Sequence, residues 1–468
     1  MSRQLAVNFI NNSGLKATVS VGFLPGPPAA GEGALPFSIK NLKDGSEIDA
    51  LDNSGGAYPC SGQWYTLDDL SAGVEVSSFS GRIYVCYDTP WTIQHQAYEP
   101  GQAVTDPNFF LRYDKMEMTF TGSPSDVADL TSIDYWSIPM TLTTSYAGKE
   151  VQTVRGLFEN VTTKQLFDAL NALTTPPVSG VAGPGGTDGV PLPALVPGQF
   201  VQYPGGPAPG ADFARIIGPS SYPPCNPPPG GIPVMPYDTL QSYLQNLLTS
   251  FGPDTEIGAN VPTLGNGVIA SIAGSFAGVG PNAPLSGPLS RQTYALTASI
   301  DGKLDITLTG TLSGVSGTTT MLYKAADLMN PSGIYGGNTP YYLNGSATYT
   351  SPGNDVYGWV GGDLFSGLNI GAVGSMTTVG NVPGVNPPAM IGSLKSQLWF
   401  GIPPGFFFAE MQTSGKYYNQ WAATLAPLSQ AYNFAYSDRF APVFANLNPA
   451  TVDTLQITLE PGAVAAAM

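Results

Sequence analysis

Lys115-Met-Glu-Met-Thr-Phe-Thr121 alternates apolar and polar side chains. A period of two is the signature of a strand with one buried face. The alternation turns Met116, Met118 and Phe120 to one side, and Glu117, Thr119 and Thr121 to the other. Shortly after it, Ser132-Ile-Asp-Tyr-Trp-Ser-Ile-Pro139 reads as a second strand, with Ile133 and Tyr135 facing away from Asp134. Were the two strands neighbours, Glu117 and Asp134 would open onto one polar face. A solvated sheet face carrying ordinary acids is the plainer meaning of the same pattern.

Working outward, the N-terminal part is β in character. Leu5-Ala-Val-Asn-Phe-Ile10 and Lys16-Ala-Thr-Val-Ser-Val-Gly22 flank Asn11-Asn-Ser-Gly14, which predicts a hairpin. Further strands are expected at 74–78, 81–87, 131–138 and 140–145, and many short strands point to a sandwich or barrel. Near residue 160 the period changes. Thr162-Thr-Lys-Gln165 has the form of a capping box, and Leu166, Leu170 and Leu173 follow at helical spacing. Residues 175–236 are dense in Pro and Gly and read as mostly loop. A second helix is expected over 240–251, strands over 293–299 and 303–310, and a third helix over 417–430. The closing Leu455-Gln-Ile-Thr-Leu-Glu460 alternates again and reads as a strand returning to the first unit. The expected layout is a β domain over 1–160, a mixed α/β domain over 161–440, and 441–468 rejoining the β domain. The fold class is therefore mainly β with a mixed α/β part.

At 468 residues with 42% hydrophobic content, the chain can bury a large core. Seventeen basic residues stand against 33 acidic ones, for a net charge of −16. Binding nucleic acid or an anionic membrane surface needs basic clusters, and none occurs. A neutral polymer such as a polysaccharide fits this surface better. No run of apolar residues is long enough to span a membrane as a helix. The opening MSRQLAVNFINNSG carries no secretory signal, while the Ser/Thr/Gly-rich, Lys-poor composition leans to an extracellular protein. The three cysteines, Cys60, Cys86 and Cys225, allow one bridge, such as Cys60–Cys86, or three isolated thiols. With one histidine and no Cys-x-x-Cys pair, neither a metal site nor a cofactor is expected.

His95 is the sole histidine, so Ser-His-Asp and Cys-His chemistry would rest on it alone, and Gln94-His95-Gln96 lies in no nucleophile motif. No phosphate-binding Gly-x-x-x-x-Gly-Lys loop occurs. Carboxylates remain, and glycoside hydrolysis requires two of them on rigid elements facing one groove.

Several segments resemble glycoside hydrolase family 64, the β-1,3-glucanases, within the thaumatin-like superfamily. Ser80-Gly-Arg-Ile-Tyr-Val-Cys-Tyr87 is similar to the family's Gly-Arg-Ile-Tyr strand, and Asp106-Pro-Asn108 to the Asp-Pro-Asn segment after it. The Glu117 strand and Ile133-Asp-Tyr-Trp-Ser-Ile-Pro139 resemble the family's acid-bearing segments, and Asn433-Phe-Ala-Tyr-Ser-Asp438 a segment near its C-terminus. The resemblance implies a thaumatin-like β-barrel or sandwich domain beside an α/β domain, flanking a wide groove. It implies inverting, endo-type hydrolysis of β-1,3-glucan to short oligosaccharides, with Glu117 as general acid and Asp134 as general base. In an inverting pair the carboxyls stand roughly 6.5–9.5 Å apart. Thr119, Tyr436 and Asp438 match substrate-contacting positions. The competing expectation is a non-catalytic glucan-binding or cell-surface structural protein that keeps the fold. Oligomeric state is not legible.

Overall fold

The computed structural model describes residues 4–15, 17–26, 37–51, 62–95, 98–102, 106–173, 195–197, 213–221, 239–251, 268–276, 292–330, 333–337, 339–345, 347–349, 356–373, 393–394, 408, 418–440 and 443–461. The chain forms two compact units. The first comprises Met1–Gly218, Leu428–Tyr432 and Val443–Met468, and the second Pro219–Pro427 and Asn433–Pro442.

In the first unit the strands are β1 (Leu5–Asn11), β2 (Val19–Pro25), β3 (Phe37–Asn41), β4 (Tyr65–Thr66), β5 (Val74–Tyr87), β6 (Tyr113–Phe120), β7 (Val127–Leu130), β8 (Tyr135–Trp136), β9 (Met140–Tyr146), β10 (Lys149–Arg155), β11 (Leu195–Pro197) and β12 (Phe213–Ile217). They are joined by the last two strands of the chain, β20 (Phe444–Asn446) and β21 (Thr454–Leu459). Among the described residues, eleven of these form one sheet along the path β10-β9-β21-β1-β5-β6-β7-β20, with β2, β3 and β4 branching from it. The two ends of the path meet through one side chain. Gln152 of β10 donates to the Phe444 carbonyl at 2.7 Å and accepts from Asn446 N at 3.0 Å on β20. The sheet thereby curls into a nearly closed barrel. Its interior holds Val7, Phe23, Phe79, Ile83, Leu142 and Ile457, together with the Met116, Met118 and Phe120 face of β6. Each such side chain contributes about 1.5–3 kcal/mol of burial.

The expected N-terminal hairpin does not form. β1 pairs in parallel with β21 and antiparallel with the first half of β5, while β2 pairs with the second half of β5, from Val19–Tyr87 to Pro25–Gly81. The two runs expected at 74–78 and 81–87 are one strand, β5, long enough to serve both partners. Gly81 sits where β2 crosses it, and a Cβ there would strike the Leu24 carbonyl. The last strand, β21, lies between β1 and β9.

The capping box is formed. Gln165 Oε1 accepts from Thr162 N at 2.8 Å, Thr162 Oγ1 accepts from Gln165 N at 3.2 Å, and helix α1 (Thr163–Ala172) follows. Two short strands, β11 and β12, lie inside the stretch read as loop, and the rest of 175–212 and 222–236 falls outside the described residues. Because β12 pairs with β8, the first unit reaches Gly218, where the sequence reading puts its boundary at 160.

The second unit has its own sheet, β18-β17-β16-β15-β14-β13-β19 among the described residues. Its strands are β13 (Val268–Phe276), β14 (Gln292–Ile300), β15 (Ile306–Leu312), β16 (Thr319–Tyr323), β17 (Tyr341–Leu343), β18 (Ala347–Tyr349) and β19 (Ser393–Leu394). Helix α2 (Thr239–Phe251) packs on β13 and β14, with Tyr243, Leu244 and Leu247 buried. The third expected helix is shorter than 417–430, spanning Gln420–Leu425, with Asn419 Oδ1 capping Ala422 N at 3.0 Å. No described helix is long and apolar enough to cross a membrane.

Candidate active site

Glu117 leaves the barrel on the outer face of β6, opposite the Met116–Met118 side. In the β5–β6 register it faces Arg82, with Ser80 opposite Thr119 and Tyr84 opposite Lys115. On its other flank, in the β6–β7 register, it faces Asp129. Such cross-strand neighbours have Cβ atoms about 4.5–5.5 Å apart. The strand on this second flank of β6 is thus β7, missed in the sequence, and Asp134 lies beyond it, just before β8.

Arg82 organises this face. Its Nε donates to Glu117 Oε1 at 3.0 Å, and its Nη1 pairs with Glu99, which also accepts the Tyr84 hydroxyl. Burial disfavours the Arg82 charge, but the Glu99 and Glu117 carboxylates outweigh it and hold the guanidinium above its ordinary range. Burial first, then the Glu99 charge, keeps Tyr84 a protonated donor. Ser80 Oγ and Thr119 Oγ1 lie 3.0 Å apart. Together Ser80, Arg82, Glu99, Glu117, Thr119 and Asp129 line a cavity of about 350 Å³.

Asp134 is brought to the same face by Lys115. Lys115 stands two residues from Glu117 on the same side of β6, a Cα separation of about 6.6 Å. Its Nζ donates to Asp134 Oδ2 at 2.6 Å and lies 5.4 Å from the Tyr135 ring centre. The Lys115 side chain is only 5% exposed and the Asp134 side chain 34%, so the ammonium is buried and the carboxylate opens to solvent. A buried charge of this kind requires a partner.

The Asp134 segment is fixed from behind. Asp114 accepts from Ser137 N at 2.9 Å, Ile138 N at 2.8 Å and Lys115 N at 2.8 Å. Burial pushes its carboxyl up to about 7, against the pull of those N–H donors. Ser137 Oγ donates to the Ala214 carbonyl at 2.6 Å, and Gly218 N to the Asp134 carbonyl at 2.7 Å. The strand expected over 131–138 shrinks to β8 because these N–H groups go to a side chain and not to a ladder.

The Asp-Pro-Asn segment positions Glu99. Asp106 accepts from Tyr98 Oη at 2.7 Å and Gly101 N at 2.8 Å, which brackets the residue. Asn108 Nδ2 donates to Tyr98 Oη at 2.6 Å. His95 packs edge-on against Tyr98, with ring centres 5.1 Å apart. Cys86 is a buried free thiol, raised by burial, while Cys60 and Cys225 lie outside the described residues.

Tyr436 and Asp438 belong to the second unit. Tyr436 has φ +70°, and its ring stacks on Phe365 at 6.4 Å between centres. Arg439 lies 5.1 Å from that ring, pairs with the fully buried Asp363, and donates to the Trp359 carbonyl at 3.0 Å. Burial raises the Tyr436 hydroxyl.

The family model described as beta-1,3-glucanase, glycoside hydrolase family 64, matches residues 66–202. That stretch contains Arg82, Glu99, Lys115, Glu117, Asp129 and Asp134. A solved laminaripentaose-producing β-1,3-glucanase in complex with laminaritetraose is 13% identical, with TM-score 0.48, over 99% of this chain and 100% of that one. A family 64 β-1,3-glucanase domain from Clostridium beijerinckii is 12% identical, with TM-score 0.46, over 98% and 99%. A laminaripentaose-producing enzyme from Paenibacillus barengoltzii, complexed with laminarihexaose, is 17% identical, with TM-score 0.27, over 36% and 43%. No curated protein matches the chain.

Proposed function

We propose that the chain hydrolyses β-1,3-glucan by inversion, in endo fashion, releasing short oligosaccharides. Glu117 is the general acid and Asp134 the general base. The observation that supports this is that Glu117 and Lys115 project from the same side of β6 and that Lys115 Nζ holds the Asp134 carboxylate, inside the stretch that matches the family. The Lys115 ammonium complements the carboxylate form of Asp134, the form a base requires. Beside the acid Glu117, the cavity sets the Glu99 and Asp129 carboxylates against one guanidinium. That negative field suits a neutral substrate whose transition state gains oxocarbenium character.

In this reading Thr119, at the cavity wall beside Glu117, contacts the sugar, and Tyr436 and Asp438 keep the substrate-contacting role that the resemblance implies. A polymer of this size is met outside the cell, so the reading includes an extracellular location. Proton NMR of the first sugar released from laminarin tests the stereochemistry. Initial appearance of the α-anomer supports the Glu117–Asp134 roles, and initial β-anomer rejects them. A protein that binds laminarin and cleaves none of it is a glucan-binding module.

A further inference from the structure

A second cleft lies in the first unit, on the outer face of β9, β10 and β21. It measures about 480 Å³, larger than the cavity of about 350 Å³ beside Glu117 and within the range of roughly 300–1,000 Å³ typical of small-ligand sites. None of the groups lining it takes part in the chemistry assigned to Glu117 and Asp134.

Its floor is set by register. Thr458, Thr141 and Arg155 form one row across β21, β9 and β10, and Gln456, Thr143 and Thr153 form the next. Adjacent strands stand about 4.8 Å apart and successive rows about 6.8 Å. The core-facing residues between them, Leu142, Val154 and Ile457, hold the floor rigid from below. Thr143 Oγ1 and Thr153 Oγ1 are 3.3 Å apart, and Thr153 Oγ1 donates to Glu150 Oε1 at 2.8 Å. One wall is the segment after β10, with Leu157, Phe158 and Val161.

Charge selects the ligand class. Glu150, Glu159 and Glu460 line the cleft against one cation, Arg155, whose Nη2 is already bonded to Glu159 at 2.7 Å. An anion would meet a net negative surface. A neutral ligand with many hydroxyls meets hydroxyls and carboxylate oxygens in periodic rows, with an apolar wall for its carbon face. We propose that this cleft is a second saccharide-binding site, which takes a neutral oligosaccharide and retains the chain on a polymer while the Glu117 site works. That the saccharide is a β-1,3-glucan rests on the proposed function; that it is a neutral saccharide does not.

The test uses the full chain. With Glu117→Gln to halt cleavage, calorimetric titration with laminarihexaose should give two equivalents. Thr143→Val with Thr153→Val removes two mutually bonded hydroxyls while keeping their shape, a change close to neutral for folding. It should weaken one equivalent by about tenfold or more, with an unchanged melting curve. Thr143→Arg, which fills the cleft, should abolish that equivalent. With Glu117 intact, both changes should leave hydrolysis of soluble laminarihexaose within about twofold and reduce adsorption to insoluble β-1,3-glucan. One equivalent in the Glu117→Gln chain, no binding at all, or two equivalents unaffected by Thr143→Arg would overturn the proposal. Cleavage of laminarin with a single equivalent bound defeats the second site and leaves the catalytic reading intact. No cleavage, with an equivalent lost in Thr143→Arg, does the reverse.

Discussion

At the scale of single residues, the account turns on which charges face which. Lys115 is a buried ammonium bonded to the Asp134 carboxylate. Lys115→Met should lower kcat by about 10–100-fold and move the acidic limb of the pH–rate profile upward, because a carboxylate without its cation is harder to ionise. An unmoved limb would mean that Lys115 only fills space. Asp114 supplies a second test. Its folded value is about 7 against an ordinary 3.8, so between those values the folded state holds the proton more tightly. Its contribution to stability is therefore fully present below about 3.8 and is lost as pH rises through about 7. Asp114→Asn should flatten that part of the stability–pH curve, measured by urea denaturation. It should also cost about 1–3 kcal/mol, since an amide cannot accept all three N–H groups. None of these partners was legible in the sequence. Lys115 reads as a strand-end charge until register and the path of residues 131–138 put it against Asp134.

At the scale of elements, what was legible was what is local. The alternation of 115–121 gave β6 its buried and open faces, and Thr162-x-x-Gln165 gave α1 its start. The hairpin failed because β1 takes its partners from β5 and from the far end of the chain, and no local signal encodes a parallel pairing across the whole sequence. β7 has four residues, and β10 presents polar residues along most of its length, so neither shows a clear period. β10 is also where the barrel closes. Gln152→Leu removes both bonds to β20 and should cost about 1–3 kcal/mol by chemical denaturation. A loss below about 0.5 kcal/mol would show that the seam is held by packing alone.

At the scale of the whole molecule, two units each carry their own core. In the second, Arg439 and Asp363 form a buried pair, with Tyr294 Oη donating to Asp363 at 2.5 Å. Arg439→Met leaves that carboxylate buried without its cation and should cost about 3–5 kcal/mol, read by denaturation. The net charge of −16 belongs to this scale as well. A neutral glucan neither gains nor loses from it, so affinity for laminarin should change less than about twofold between about 50 mM and about 500 mM salt. A steep salt dependence would point to a charged ligand.

The central claim is that Glu117 and Asp134 together cleave β-1,3-glucan. Reducing-sugar release from laminarin by the unaltered chain, by Glu117→Gln and by Asp134→Asn tests it most directly. The account predicts release by the unaltered chain and a fall of about 10²–10⁴-fold in each variant, with folding intact. No release by the unaltered chain, or full activity in either variant, would contradict it.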